Sequence, residues 1–223
     1  MMRQAGMNDA EAGSGMPQEN EDSGRSTQGH CSDLQDRCLS GTENCGIRKG
    51  PGLVHIYFGD GKGKSTCGMG LCCRAAGYGY RVLIYQFLKD NSSSERKLLE
   101  LSPNVEFLDG MDRERFSRQM SEEEKCAHRA FYEERLRLLE HKVSSGNYDV
   151  LFLDEVLYAV RAGLLDEKLL TDFLDSRPQD LEVILTGRDP GEELLQRADY
   201  ISEIRMIRHP ISRGQKARGG IER

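Results

Sequence analysis

The sequence predicts an α/β fold: a mostly parallel sheet with helices on both faces. Three observations predict it. Short apolar runs alternate with helix-length segments from residue 53 onward. A glycine-rich loop joins the first such run to the first helix, and an acidic pair ends the most apolar run. Strands separated by helical segments imply right-handed crossovers and hence parallel pairing, with helices covering both sides.

The elements follow in order. Residues 1 to about 50 are rich in Gly, Ser, Gln, Asn, Asp and Glu with few large apolar groups. Such a stretch buries too little surface to offset its ordering entropy, so a disordered or loosely ordered tail is expected there. Pro51-Gly52 is a turn signal that opens the folded domain, 51–223. Val54-His55-Ile56-Tyr57-Phe58 reads as a strand, and Ser65 to Ala76 as a helix ended by Gly77. Arg81 to Phe87 carries a buried strand. Glu95 to Leu101 is a short helix stopped at Ser102-Pro103, and Val105 to Leu108 is a third strand. Ser121 and Glu124 form a capping box that starts a long helix reaching about Ser145, with Tyr132, Leu136, Leu139 and Val143 as its apolar stripe. The strand Val150-Leu151-Phe152-Leu153 follows. A helix over Asp166 to Asp175, a strand over Val183 to Thr186, a helix over Glu192 to Arg197 and a strand over Tyr200 to Ile207 complete the pattern.

Bulk properties narrow the function classes. The chain has 223 residues and a formal net charge of -6, which does not suggest nucleic-acid binding. No apolar run approaches the roughly 20 residues of a membrane helix, and no basic start followed by an apolar stretch marks a secretory signal. A soluble, cytoplasmic protein is expected. The seven cysteines are odd in number, against a secreted disulfide framework. Cys31, Cys38 and Cys45 recur every seven residues without a C-x-x-C pair and read as tail thiols. Cys67, Cys72 and Cys73 lie on the first helix and read as packing residues.

The loop Gly59-Asp60-Gly61-Lys62-Gly63-Lys64-Ser65 carries the chemistry. Strand, glycine-rich loop, Lys-Ser and helix is the P-loop arrangement, so the sheet is expected to be P-loop NTPase-like. Glycines let several backbone amides converge on one anion, and the helix adds its positive N-terminal end. Lys64 supplies a full charge and Ser65 a hydroxyl suited to Mg2+, with Thr66 beside it. Lys62 is open to two readings, a phosphate contact or a solvated surface lysine. The standard spacing would place glycine where Phe58 stands, so the loop is one residue tighter at its start.

In open parallel sheets ligands lie beyond the carboxyl ends of the strands. Asp154 and Glu155 end the apolar strand there. Glu155 is the better candidate for a metal. Asp154 has two readings, a metal contact or the cap of the next helix. Arg188, after Thr186-Gly187, can neutralise phosphate oxygens or simply sit in a surface turn. Lys89, Arg96 and Lys97 follow the second strand and could do similar work or form a solvated face.

These motifs, with Tyr85-Gln86-Phe87-Leu88-Lys89, Glu95-Arg96, Ala198-Asp199, Ser202-Glu203, His209-Pro210, Gly214, Ala217 and Gly220-Ile221-Glu222, occur in an order that resembles the P-loop type of ATP:corrinoid adenosyltransferase. The short GxGKGK[ST] loop marks that family and accounts for Phe58. The resemblance spans about residues 53 to 222 and implies a homodimeric enzyme. Such an enzyme moves the 5′-deoxyadenosyl group of ATP onto the cobalt of a reduced corrinoid and releases triphosphate. It implies ATP, Mg2+ and a corrinoid as ligands, and allows a reductase or flavoprotein as electron donor. It implies phosphate binding by Lys64 and Mg2+ binding by Ser65 and Glu155. With Arg188, these make the expected catalytic set of Lys64, Glu155 and Arg188, over a nucleotide cradle of Gly59 to Thr66. Phe116-Ser117-Arg118 stands where family members often carry an aromatic-rich stretch that helps displace the corrinoid's lower ligand; Phe116 keeps that role or else anchors a loop, and Arg118 does not replace an indole. A phosphoryl-transfer ATPase or kinase, and a non-catalytic nucleotide or corrinoid sensor, are the competing readings.

Overall fold

The computed structural model describes residues 50–111 and 120–222. The expectations for the tail, for Cys31, Cys38 and Cys45, and for Phe116-Ser117-Arg118 fall outside those residues. Among the described residues are six strands, β1 (Val54–Phe58), β2 (Val82–Gln86), β3 (Val105–Leu108), β4 (Val150–Asp154), β5 (Glu182–Gly187) and β6 (Tyr200–Glu203). Six α-helices join them: α1 (Lys64–Tyr78), α2 (Ser94–Leu99), α3 (Glu122–Ser145), α4 (Val156–Arg161), α5 (Glu167–Ser176) and α6 (Glu192–Gln196).

The strands form one sheet in the order β3-β2-β4-β5-β1-β6, and every pairing is parallel. The strand feeding the glycine loop therefore has β5 between it and the acidic strand β4. Side chains alternate across the sheet with period two. One row, Ile84, Phe152 and Ile184, packs under α1 through Met69, Cys72, Ala75 and Ala76. The opposite row, with Leu83, Tyr85, Leu151, Leu153, Val183 and Leu185, packs against α3 and α5 through Tyr132, Leu136, Leu139, Leu170, Phe173 and Leu174. Both faces are thus covered, as near-continuous apolar strands require. β6 is the exception: it lies at the sheet edge with all four residues exposed.

Several boundaries move from expectation. α1 runs through Gly77 and stops at Gly79, whose φ of 102° supplies the left-handed cap. α2 ends at Leu99 rather than Leu101, and β6 ends at Glu203 rather than Ile207. Of the three cysteines on α1, only Cys72 is buried; Cys67 and Cys73 face outward, so packing explains one thiol and not three. The capping box at Ser121 and Glu124 forms as read, each side chain taking the other's backbone N–H.

Candidate functional site

The glycine loop emerges from β1 and turns into α1 at Lys64. Gly59 has φ 118°, and a Cβ there would lie 2.5 Å from the Ile204 carbonyl oxygen. A Cβ on Gly61 would meet the backbone of Ile204 and Arg205 at 2.8 Å. Glycine is therefore required here by a close neighbour as well as by backbone angle. That neighbour is the segment after β6, which is tied to the loop. The Gly61 N–H donates to Ile204 O (2.8 Å), the Ile204 N–H to Phe58 O (2.7 Å) and the Met206 N–H to Asp60 Oδ1 (2.8 Å). One oxygen of the Asp60 carboxylate is thus engaged by the Met206 backbone.

Lys64 is buried and its ammonium donates to Gly61 O at 2.8 Å, folding back across its own loop. Burial pushes this ammonium down from the ordinary lysine range; Glu155 opposes the shift and Arg188 adds to it. Ser65 lies at the first turn of α1, partly buried. Thr66 and Lys62 are exposed, and Lys62 is 3.7 Å from Glu222 at the far end of the chain. Arg188 is exposed at the end of β5, close enough to act electrostatically on both Lys64 and Glu155.

Beneath the start of α1, three apolar strands each finish in one polar side chain. Gln86 pairs in register with Asp154, and Thr186 follows the Leu185 that pairs with Leu153. By alternation, all three point to the α1 face. Asp154 is fully buried. Its Oδ1 accepts from Thr186 Oγ1 (2.7 Å), and its Oδ2 accepts from Gln86 Nε2 (2.9 Å) and from Lys89 Nζ (2.5 Å). Burial pushes this carboxyl up, but the Lys89 ammonium and the three hydrogen bonds outweigh it and hold Asp154 below the usual range. The helix-cap reading of Asp154 is overturned: it is the last residue of β4, and Glu155 occupies the cap position of α4 without a side-chain bond.

Glu155 has φ 59°, a left-handed backbone rarely taken by a non-glycine residue. Its N–H donates to Thr186 Oγ1 at 2.8 Å, so Thr186 links the backbone of Glu155 to the carboxylate of Asp154. Burial and the neighbouring Asp154 push the Glu155 carboxyl up, against Lys64, Lys89 and Arg188. A carboxylate held this way gains from a cation.

The donors suit a hard divalent ion. They are all oxygens, from Ser65, Asp154 and Glu155, and Mg2+ is usually held by one or two carboxylates with phosphates and water. No cluster of three His, Cys, Asp or Glu side chains that could hold a metal is present among the described residues, so phosphate oxygens would have to complete the shell. Gln86 Oε1, buried beside Asp154 and without a hydrogen-bond partner, marks a further unsatisfied acceptor at this strand end.

Sequence reasoning missed the Gln86–Asp154–Thr186 row and the engagement of Lys89 with it. A signal was present: a single polar residue at the end of each apolar strand. His209, part of the ordered motifs of the resemblance, caps the short 3-10 helix Pro210–Arg213, its Nδ1 accepting from the Ile211 N–H (3.1 Å). Arg96 bridges Glu100, Asp109 and Asn91 and lies over the Phe107 ring, a structural role.

Comparison with known proteins places this geometry. Residues 50–223 match the family described as ATP:corrinoid adenosyltransferase BtuR/CobO/CobP. The corrinoid adenosyltransferase of Escherichia coli is 33% identical over 172 residues, covering 77% of this chain and 85% of that protein. The corrinoid adenosyltransferase CobA of Salmonella typhimurium matches to the same extent, and that of Sinorhizobium sp is 30% identical over 175 residues, 77% of this chain and 80% of the relative. Among solved structures, the ORC2 protein of Aeropyrum pernix (ADP form) aligns at 15% identity with a TM-score of 0.38, over 78% of this chain and 46% of that one, a likeness too slight to carry an argument. By the family match and by identity over most of its length, the chain belongs to the ATP:corrinoid adenosyltransferases.

Proposed function

We propose that this protein transfers the 5′-deoxyadenosyl group of ATP to the cobalt of a reduced corrinoid, with inorganic triphosphate as the leaving group. The observation that carries the reading is the convergence of Lys64, Ser65, Asp154, Glu155 and Arg188 at the carboxyl ends of β1, β4 and β5, within a chain of this family.

The transfer asks little proton chemistry of the protein, because the reduced corrinoid is itself the nucleophile. Its needs are orientation and neutralisation of the charge that builds on the leaving triphosphate. The amides of Gly59 to Ser65 and the start of α1 cradle phosphate oxygens. Lys64, released from Gly61 O, supplies a charge at close range. Its lowered pKa marks an ammonium short of solvation, which a phosphate partner would relieve. Arg188 adds a second cation from the β5 side with a fork suited to phosphate. Mg2+, held by Ser65 and Glu155, would supply further charge neutralisation on the triphosphate. Phe116 is assigned to the corrinoid side. A homodimer and an external reductase or flavoprotein as electron donor belong to the same reading.

Incubation with ATP, Mg2+ and chemically reduced cobalamin tests it. The absorbance spectrum of adenosylcobalamin and an equivalent of triphosphate are expected together. Production of ADP and phosphate without the spectral change would make the protein a phosphoryl-transfer enzyme, and nucleotide affinity without either product would make it a sensor. Lys64→Ala is expected to lower the rate at least about a hundredfold, the scale of a lost transition-state charge contact; an unchanged rate overturns the role of the loop.

A further inference from the structure

Lys89 has no part assigned in the transfer, yet it sits at the centre of the site. Its Nζ lies 2.5 Å from Asp154 Oδ2 and 3.5 Å from Ser65 Oγ. Those are a strand-end carboxylate and the loop hydroxyl, the two kinds of oxygen that a divalent ion bound with nucleotide would draw on here. The other donors to Asp154, Gln86 Nε2 and Thr186 Oγ1, are neutral, so Lys89 carries the positive charge that balances a fully buried carboxylate. Removing such a charge without replacement leaves a buried carboxylate uncompensated, which another cation in its place would avoid. Lys64, the other lysine that acts electrostatically on Asp154, is engaged with Gly61 O. Lys89 also approaches from a loop and not from the sheet. It follows Leu88, whose φ is 57°, and its side chain keeps 28% exposure, which leaves it a route out toward solvent.

We propose that Lys89 is an internal stand-in for the divalent ion. In the nucleotide-free protein its ammonium holds the place between Asp154 and Ser65 and keeps metal affinity low. When metal and nucleotide arrive together, the ion takes over the charge of Asp154 and Lys89 swings out to the triphosphate, whose charge the metal alone does not balance. Metal loading and nucleotide loading are thereby coupled. The inference rests on the reading of the loop and strand end as a metal–nucleotide site.

Mn2+ is the probe, followed by the electron paramagnetic resonance of the free ion. Wild-type protein with ATP is expected to deplete free Mn2+ beyond what the same ATP does alone; if it does not, the site reading itself fails. Without nucleotide, Lys89→Met is expected to bind Mn2+ more tightly than wild type by on the order of tenfold or more, and adding Asp154→Asn is expected to remove that gain. Equal nucleotide-free affinities in wild type and Lys89→Met, with Mn2+ and ATP still binding together to wild type, would overturn the proposal and leave the site reading intact. Lys89→Met leaves Asp154 unbalanced and can fail to fold in metal-free buffer. Its melting transition then decides: restoration by Mn2+ supports the exchange, and no restoration overturns it.

Discussion

At the scale of single residues, the site is built from groups held against their ordinary preferences. Glu155 adopts a left-handed backbone at φ 59° while its carboxyl is partly buried beside Asp154. Strain of this kind persists where the surroundings enforce it, and here the Glu155 N–H bond to Thr186 Oγ1 does so. Glycine at the position removes the backbone penalty of about 1 kcal/mol. Glu155→Gly is therefore expected to raise the melting temperature while abolishing adenosyl transfer, a split that thermal melts and the spectral assay read separately. Thr186→Val acts oppositely. It strips a hydrogen bond from a buried carboxylate and leaves the Glu155 N–H without its partner, at a cost of about 2–3 kcal/mol. Denaturant melts should show that loss. Thr186→Ser, which keeps the hydroxyl, should recover most of it.

At the scale of elements, α1 must lie close on the sheet to bring Lys64 and Ser65 over Asp154. Gly68 permits the approach: a Cβ there would stand 2.3 Å from Cζ of the fully buried Phe152 ring. Gly68→Ala gains about 1 kcal/mol in helix propensity but meets a ring that cannot retreat. A net loss of about 1–2 kcal/mol in denaturant melts is expected, together with weaker nucleotide affinity as the helix lifts. The elements were largely legible from sequence. Apolar runs such as Val150-Leu151-Phe152-Leu153 announce buried strands, and Ser121 with Glu124 announces a helix start, because these signals act within a few residues. The end of α1 was misread because Gly77 and Gly79 are both suitable stops, and the choice rests on which one takes the left-handed turn. The polar row was not legible for a different reason. Gln86, Asp154 and Thr186 become neighbours only once the order β2-β4-β5 is fixed, and nothing local encodes that order. The same holds for Gly59, whose constraint comes from Ile204 across the sheet edge.

At the scale of the whole molecule, two carboxylates, one fully buried and one half-buried, anchor distant parts of the chain. Asp154 joins β2, β4, β5 and the loop of Lys89. Glu182 bonds the His55 ring and accepts from the Leu53 N–H at 2.9 Å, fastening the start of β5 to β1, where His55 also stacks on Tyr200 of β6. Burial pushes both carboxyls up, and their partners more than reverse it, so both sit below the ordinary range. A carboxyl lowered in the folded state contributes stability that is complete above its unfolded value and is lost as pH falls through the folded one. Stability is therefore expected to be flat near neutrality and to decline below about pH 4, where unfolded carboxylates begin to take up protons ahead of these two. Urea midpoints measured from pH 7 to pH 3 check the slope. Asp154→Asn in the Lys89→Met background should flatten it, since one of the two groups is then gone.

The segment that crosses the glycine loop has a consequence for how the protein is made. The amide of Gly61 waits for a carbonyl at Ile204, and Asp60 for an amide at Met206. During synthesis the ribosome must therefore deliver the chain through residue 206 before the loop after β1 can finish its turn. Partners so far apart along the chain meet late in folding. A nascent chain halted before residue 204 is expected to elute from an ATP resin that retains the completed one. The capacity to hold nucleotide would then arise only once residue 206 has joined the fold, although Lys64 and Ser65, which define it, are translated well before.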